Sequence, residues 1–139
     1  MAGFNKFNQF VEDVGKKVHK LDTDTITVAL TAAANAPVAT NETLANLTQI
    51  AYTNLSTRVV TTTSYEQTSG TAKLVLVDLV LTASGDVATF RYVALYNDTP
   101  TSPADPLIGW YDYGSDVTLH NGETFTVDFD QTNGCLTLA

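Results

Sequence analysis

Between Phe4 and Val18 the apolar residues Phe4, Phe7, Val11, Val14 and Val18 recur three or four positions apart, with Asn8, Glu12, Asp13 and Lys16 between them. That period predicts an amphipathic helix over residues 3–19. Gly15 weakens such a helix by about 1 kcal/mol relative to Ala, and Phe is a middling helix former, so the apolar face needs a surface to cover it. Either the rest of the chain or another subunit supplies that surface. From Thr25 the period changes to two, and Thr25-Ile26-Thr27-Val28-Ala29-Leu30 sets Ile26, Val28 and Leu30 on one face of a half-buried strand. A run of small residues follows, and Leu44, Leu47 and Ile50 suit a loop with a short helix.

Further strands are expected at Thr57–Thr63, Thr71–Ala83, Val87–Tyr96, Leu107–Tyr111, Val117–His120, Phe125–Phe129 and Cys135–Leu138. Between them stand Ser69-Gly70, Ser84-Gly85-Asp86, Asn97-Asp98, Tyr113-Gly114, Asn121-Gly122 and Asn133-Gly134, residues that tolerate positive φ in tight turns. Lys73–Ala83 with Val87–Tyr96 is the clearest expected hairpin. Its first strand has Leu74, Leu76, Asp78 and Val80 on one face and Val75, Val77, Leu79 and Leu81 on the other. Being apolar on both, it calls for cover from a helix, a loop or a neighbouring copy, which makes a homo-oligomer, with a trimer as the state, the expected assembly. The stretch Thr99–Pro106 carries three prolines and reads as a stiff exposed excursion.

These elements add up to a mainly β protein: an antiparallel β-sandwich of jelly-roll type with an N-terminal amphipathic helix. Its core is expected to draw on Ile26, Val28, Leu30, Leu74, Leu76, Val93, Leu95, Ile108, Phe125, Val127 and Phe129. Two parts are distinguished, an N-terminal helical arm over 1–20 and a β-sandwich domain over 21–139.

Composition changes this picture in two ways. At 139 residues with 44% hydrophobic and 16% charged residues, the chain is one domain able to close a core, and its heavy use of Thr favours strands. Charge is divided: residues 1–20 hold Lys6, Lys16, Lys17 and Lys20 against Glu12 and Asp13, while 21–139 hold 3 basic and 13 acidic residues, for a total of −8. An acidic body does not suit nucleic acid, which demands clustered Lys and Arg. The basic head either solubilises its helix or seeks an acidic protein surface. With its apolar face, that charge makes residues 1–20 the expected attachment arm, through Phe4, Phe7, Phe10, Val11, Val14, Lys16, Lys17, Val18 and Lys20. No apolar run approaches a membrane span and no secretory block opens the chain, so it is expected to be made in a cytoplasm.

Candidate chemistry is sparse. His19 and His120 lie far apart and read as surface imidazoles, and the lone Cys135 as a packed small residue; neither suggests a metal or catalytic site. Asp22/Asp24, Asp112/Asp116 and Asp128/Asp130 are paired carboxylates able in principle to hold calcium, though keeping strand edges soluble is their commoner use. No cofactor and no enzymatic activity are expected. The aromatic run Trp110-Tyr111-Asp112-Tyr113 is the second candidate interface: period two puts Tyr111 and Tyr113 on one face and Trp110 on the other.

The segments Lys17-Val18-His19-Lys20-Leu21, Ala51-Tyr52-Thr53-Asn54-Leu55-Ser56, Phe90-Arg91-Tyr92-Val93-Ala94-Leu95-Tyr96-Asn97-Asp98-Thr99 and Asp105-Pro106-Leu107-Ile108-Gly109-Trp110-Tyr111-Asp112-Tyr113-Gly114 are, in this order, similar to small virion proteins of tailed bacteriophages. The likeness covers most of the chain and brings no catalytic residue with it. It implies a viral structural protein of the virion, with a capsid decoration (cement) protein bound to the major capsid protein as the favoured role. A head–tail connector or tail component forming a ring, and a glycan-binding adhesin-like module using Trp110 and its neighbouring tyrosines, are the alternatives.

Overall fold

The structure is a computed structural model that describes residues 3–139. The first two residues of the expected arm lie outside the described residues. The protein is mainly β with antiparallel sheets and one short N-terminal helix. In chain order the elements are β1 (Phe4–Lys6), α1 (Asn8–Gly15), β2 (Ile26–Thr31), β3 (Val59–Val60), β4 (Thr62–Thr68), β5 (Thr71–Leu76), β6 (Leu79–Thr82), β7 (Phe90–Asn97), β8 (Leu107–Val117), β9 (Thr124–Val127) and β10 (Leu136–Leu138). Single turns of 3-10 helix stand at Ala33–Asn35 and Leu44–Asn46. The strands form a five-stranded sheet in the order β1-β8-β7-β2-β3, a three-stranded sheet β10-β5-β4 and a pair β6-β9.

One main core joins all three sheets. Ile26, Val28 and Leu30 of β2, Val93 and Leu95 of β7, and Ile108 of β8 meet Leu74 and Leu76 of β5, Leu79 and Leu81 of β6, Val127 of β9 and Phe129. Of the expected core, Phe125 alone is only partly buried. β2 is buried along its whole length rather than on one face. Its second face is covered by a smaller cluster of Phe7, Ala29, Ala94, Tyr96 and Leu107, closed by Leu44, Leu47 and Trp110. Short-range alternation cannot reveal that cover, because Ala94, Tyr96, Leu107 and Trp110 come from neighbouring strands and Phe7, Leu44 and Leu47 from segments remote in sequence.

The expected hairpin between Lys73–Ala83 and Val87–Tyr96 does not form. Its first strand pairs backwards instead. Leu55 bridges Ala83, the Ser56 amide donates to the Thr82 carbonyl (3.0 Å) and the Val77 amide to the Thr61 carbonyl (2.9 Å). The β4–β5 ladder then runs up to Ser69-Gly70. Residues 55–83 thus form an interrupted antiparallel ribbon, turned at a two-residue loop where Ser69 and Gly70 both have positive φ (54° and 86°), and in its open middle Val59–Val60 pairs with β2 and Leu79–Thr82 with β9.

Within the ribbon, Thr71–Ala83 is two strands. The break falls at Val77-Asp78, where the Asp78 carboxylate accepts the Phe129 amide (2.9 Å). Across it the parity changes: Leu74 and Leu76 point inward before the break, Leu79 and Leu81 after it, and Val77 and Val80 point out. The two-sided apolar look of this stretch therefore reflects a change of parity at Val77-Asp78, together with burial of both faces at Leu74, Val75 and Leu76 within this chain.

β8 also departs from expectation. Tyr113-Gly114 reads as a turn between two strands, yet β8 continues through it. Tyr92 pairs with Asp112 and Phe90 with Val117, so the residues between 112 and 117 bulge away from β7. Gly114 takes a φ of 95° inside the bulge and its amide donates to the Asp112 carboxylate (2.8 Å).

Candidate functional site

The expected attachment segment is woven into the body. Phe4 to Lys6 is a strand, not helix, paired antiparallel with β8: Phe4 faces Tyr111, Asn5 faces Trp110 and Lys6 faces Gly109. The helix is accordingly shorter than the 3–19 expected, since Phe7 leaves the strand and Lys17 (φ 63°) ends the last turn. Gly109 explains why β1 seats here. A Cβ at that position would stand 2.3 Å from Phe4 Cζ and 2.5 Å from the Asn5 carbonyl, so only glycine admits the Phe4 ring. Further tethers follow, with the Phe7 amide donating to Ile108 (3.2 Å) and the Asn8 amide to Ala39 (2.9 Å).

The side chains tell the same story. Phe7 and Phe10 are fully buried, Phe7 against Trp110 (ring centroids 4.6 Å) and Phe10 in the main core. Phe4, Val14 and Val18 are half-buried. The aromatic face expected to grip a partner is this chain's own interior, and residue 20 marks no break in packing. What the segment leaves outside is Val11, 57% exposed, with Lys16, Lys17 and Lys20. Lys16 pairs with Glu12 (3.2 Å) and Lys20 with Asp22 (3.1 Å), so much of the basic charge is met locally.

Behind the helix lies a polar joint that the sequence did not advertise. Asp13 is almost wholly buried on α1, and His19 stacks near Phe10 with ring centroids 5.1 Å apart. The Asn97 side-chain amide lies 3.1 Å from His19 Nδ1 and donates to the Asp24 carboxylate (2.7 Å). With Asn97 donating, Nδ1 is the acceptor and Nε2 carries the proton of the neutral ring. Asp13 Oδ2 and His19 Nε2 find no hydrogen-bond partner among the described residues. Burial holds the His19 pKa below the usual histidine value, against the opposing pull of the Asp13 and Asp24 carboxylates. His19 is therefore a packed, neutral joint residue rather than the surface imidazole expected. His120 is exposed and pairs with Asp86 (2.9 Å), which raises its pKa.

The aromatic run does not make one patch. Trp110 turns to Phe7 in the smaller cluster. Tyr111 is buried in the main core with its hydroxyl 3.3 Å from Cys135 Sγ, and burial pushes both groups upward, the thiol to about 11. Tyr113 alone is well exposed, set edge-on to Phe125 (5.1 Å). Tyr111 and Tyr113 do meet in a groove of about 120 Å³, walled by Val93, Phe125, Thr126 and Val127 with Asp128 at its rim. Its lining comes from β7, β8 and β9 and the residue that follows β9.

In the two later carboxylate pairs, Asp112 and Asp130 have structural partners. Arg91 clamps Asp112 through two hydrogen bonds (2.9 and 3.2 Å), and Asp130 accepts the Thr132 and Asn133 amides (3.0 and 2.8 Å). These contacts hold both carboxyls below their ordinary range. Among the described residues no group of three or more His, Cys, Asp or Glu is placed to hold a metal ion. Compared with protein-family models, curated proteins and solved structures, the chain finds no match.

Proposed function

We propose that this chain is a structural protein of a tailed-bacteriophage virion, a capsid decoration protein that binds the major capsid protein and stabilises the head lattice. It works as a homo-oligomer, as a β-sandwich of jelly-roll type, and performs no reaction. The observation that carries this reading is the convergence of the four segments on which the phage resemblance rests. Phe90–Thr99 contains β7 and Asp105–Gly114 most of β8, which pair along their length. Lys17–Leu21 reaches Asn97 through His19. Ala51–Ser56 places the Tyr52 hydroxyl to accept the Leu30 amide (2.9 Å) and Leu55 against Ala83. Residues that look like a family signature thus build one framework instead of lining a reaction site, as a scaffold for surface contacts requires. Core side chains from the five-stranded sheet facing those from the smaller sheets support the sandwich.

With Phe7 and Phe10 interior, attachment falls to the outer face of the folded N-terminal segment, around Val11, Lys16 and Lys17. The test is a count of this chain per particle by quantitative mass spectrometry of virions from the phage that encodes it. A fixed proportion to the major capsid protein is the expected result. One ring's worth of copies would assign the chain to the neck or tail, and absence from the particle would overturn the reading altogether.

A further inference from the structure

Native sheets protect their outer strands by keeping them short or by placing Lys, Pro or bulges on them. Here the five-stranded sheet ends in β1, of 3 residues, and β3, of 2, and β10 contributes 3. The strand at the other end of the three-stranded sheet, β4, has 7. Its sequence Thr62-Thr63-Ser64-Tyr65-Glu66-Gln67-Thr68 holds no Lys or Pro, and its single irregularity falls at the start, between Thr62 and Ser64. Its one charge, Glu66, sits in register with Lys73 of β5. In a chain of net charge −8, this is a long strand edge that carries a single charge.

The register shows what the edge offers. A two-residue turn makes Thr68 and Thr71 a hydrogen-bonded pair, and bonded pairs then alternate, through Glu66/Lys73 to Ser64/Val75. The backbone N–H and C=O groups of Tyr65 and Gln67 therefore point away from β5.

We propose that β4 is a self-association edge: a second copy of this chain pairs with it antiparallel about a two-fold axis at Tyr65. In that register Tyr65 meets the partner's Tyr65, Gln67 meets the partner's Thr63, and Ser64 meets the partner's Glu66. No like charges stand directly opposite, and the two Glu66 carboxylates are only diagonal neighbours. The contact is isologous, which closes on a dimer. An interface of one strand pair is small, so the dimer is weak alone and gains wherever a surface holds copies close together. The inference is independent of the virion reading, since it rests on the edge itself.

Sedimentation of the full chain tests it. The wild type should show a concentration-dependent monomer–dimer equilibrium that added salt promotes, because screening relieves the repulsion of two acidic bodies. Thr63 and Gln67 are both exposed, and T63K/Q67K puts lysines opposite each other twice. This pair should weaken the dimer by about tenfold although it lowers the repulsive net charge. T63E/Q67K keeps the same lysine at position 67, and so any cost of losing the Gln67 contact to the Gly70 amide, yet pairs it with glutamate; it should dimerise at least as well as wild type. Circular dichroism checks that both variants keep the fold. A wild type monomeric at every concentration, a trimer, or equal association of T63K/Q67K and T63E/Q67K would overturn the proposal.

Discussion

The N-terminal segment and the β4 edge invert what their sequences advertise. The first is aromatic, basic and regularly spaced, and looks made for a partner; the fold consumes it, burying Phe7 and Phe10 and pairing Phe4–Lys6 with β8. The second is a bland run of Thr, Ser and Gln that looks like filler, and the fold leaves half its backbone bonding groups unmet along seven residues. An apolar face is satisfied wherever it finds cover, including within its own chain. An unpaired backbone edge can be satisfied only by water or by another strand. Hydropathy sees the first need and is blind to the second.

If the N-terminal segment is interior, removing its anchors must cost core stability. Phe10→Ala should destabilise the chain by about 3–5 kcal/mol in urea unfolding, the range for an aromatic ring deleted from a packed core. A detached arm would tolerate the change. Deleting residues 3–20 should for the same reason give an unfolded or aggregated product, not a soluble β domain.

Gly109→Ala should cost about 1–3 kcal/mol, since the added methyl would collide with both the Phe4 ring and the Asn5 carbonyl. Its particular signature is loss of β1 alone: amides of Phe4–Lys6 should become labile to hydrogen exchange while those of β7 stay protected.

The polar joint makes a smaller, pH-dependent contribution. Because the folded-state pKa of His19 lies below its unfolded value near 6.5, the unfolded chain binds more protons between the two. Stability from this residue is therefore complete above pH 6.5 and is lost as pH falls through the folded pKa. Asp13 and Asp24 face the ring and oppose the effect, and the raised pKa of exposed His120 acts with the opposite sign. The difference between wild type and His19→Gln isolates it: the variant's urea midpoint should fall less steeply from pH 7 to 5.

The parity change in the ribbon predicts the smallest effect. Val77→Thr and Val80→Thr, at exposed positions, should each stay within about 0.5 kcal/mol of wild type, whereas Leu79→Thr, beside them but buried, should cost clearly more. Equal costs would mean that the stretch is covered on both faces by another copy.

Much of the fold could be read from local signals. Alternation placed β2 and most of the core, and Ser69-Gly70 announced a real hairpin turn. What failed was pairing. Leu74–Leu81 reads as one strand because the break at Val77-Asp78 depends on an amide at Phe129, some fifty residues away in sequence. Helical spacing from Phe4 to Val18 gave no hint that Phe4–Lys6 finds a strand partner beside Gly109. The aromatic run was correctly split by period two, with Trp110 opposite Tyr111, but the partners that divide it, Phe7, Cys135 and Phe125, are remote. The packing of His19 leaves no local pattern in the sequence, because its partners Asn97 and Asp24 are set by the fold.

Hydrogen exchange on the full chain, followed residue by residue at low and high protein concentration, compares the two regions in one measurement. The account predicts that the amides of Phe7 and Asn8, bonded to Ile108 and Ala39, are protected at both concentrations, while those of Tyr65 and Gln67 exchange freely in dilute protein and slow as concentration rises. Freely exchanging Phe7 and Asn8 amides, together with β4 amides indifferent to concentration, would contradict it.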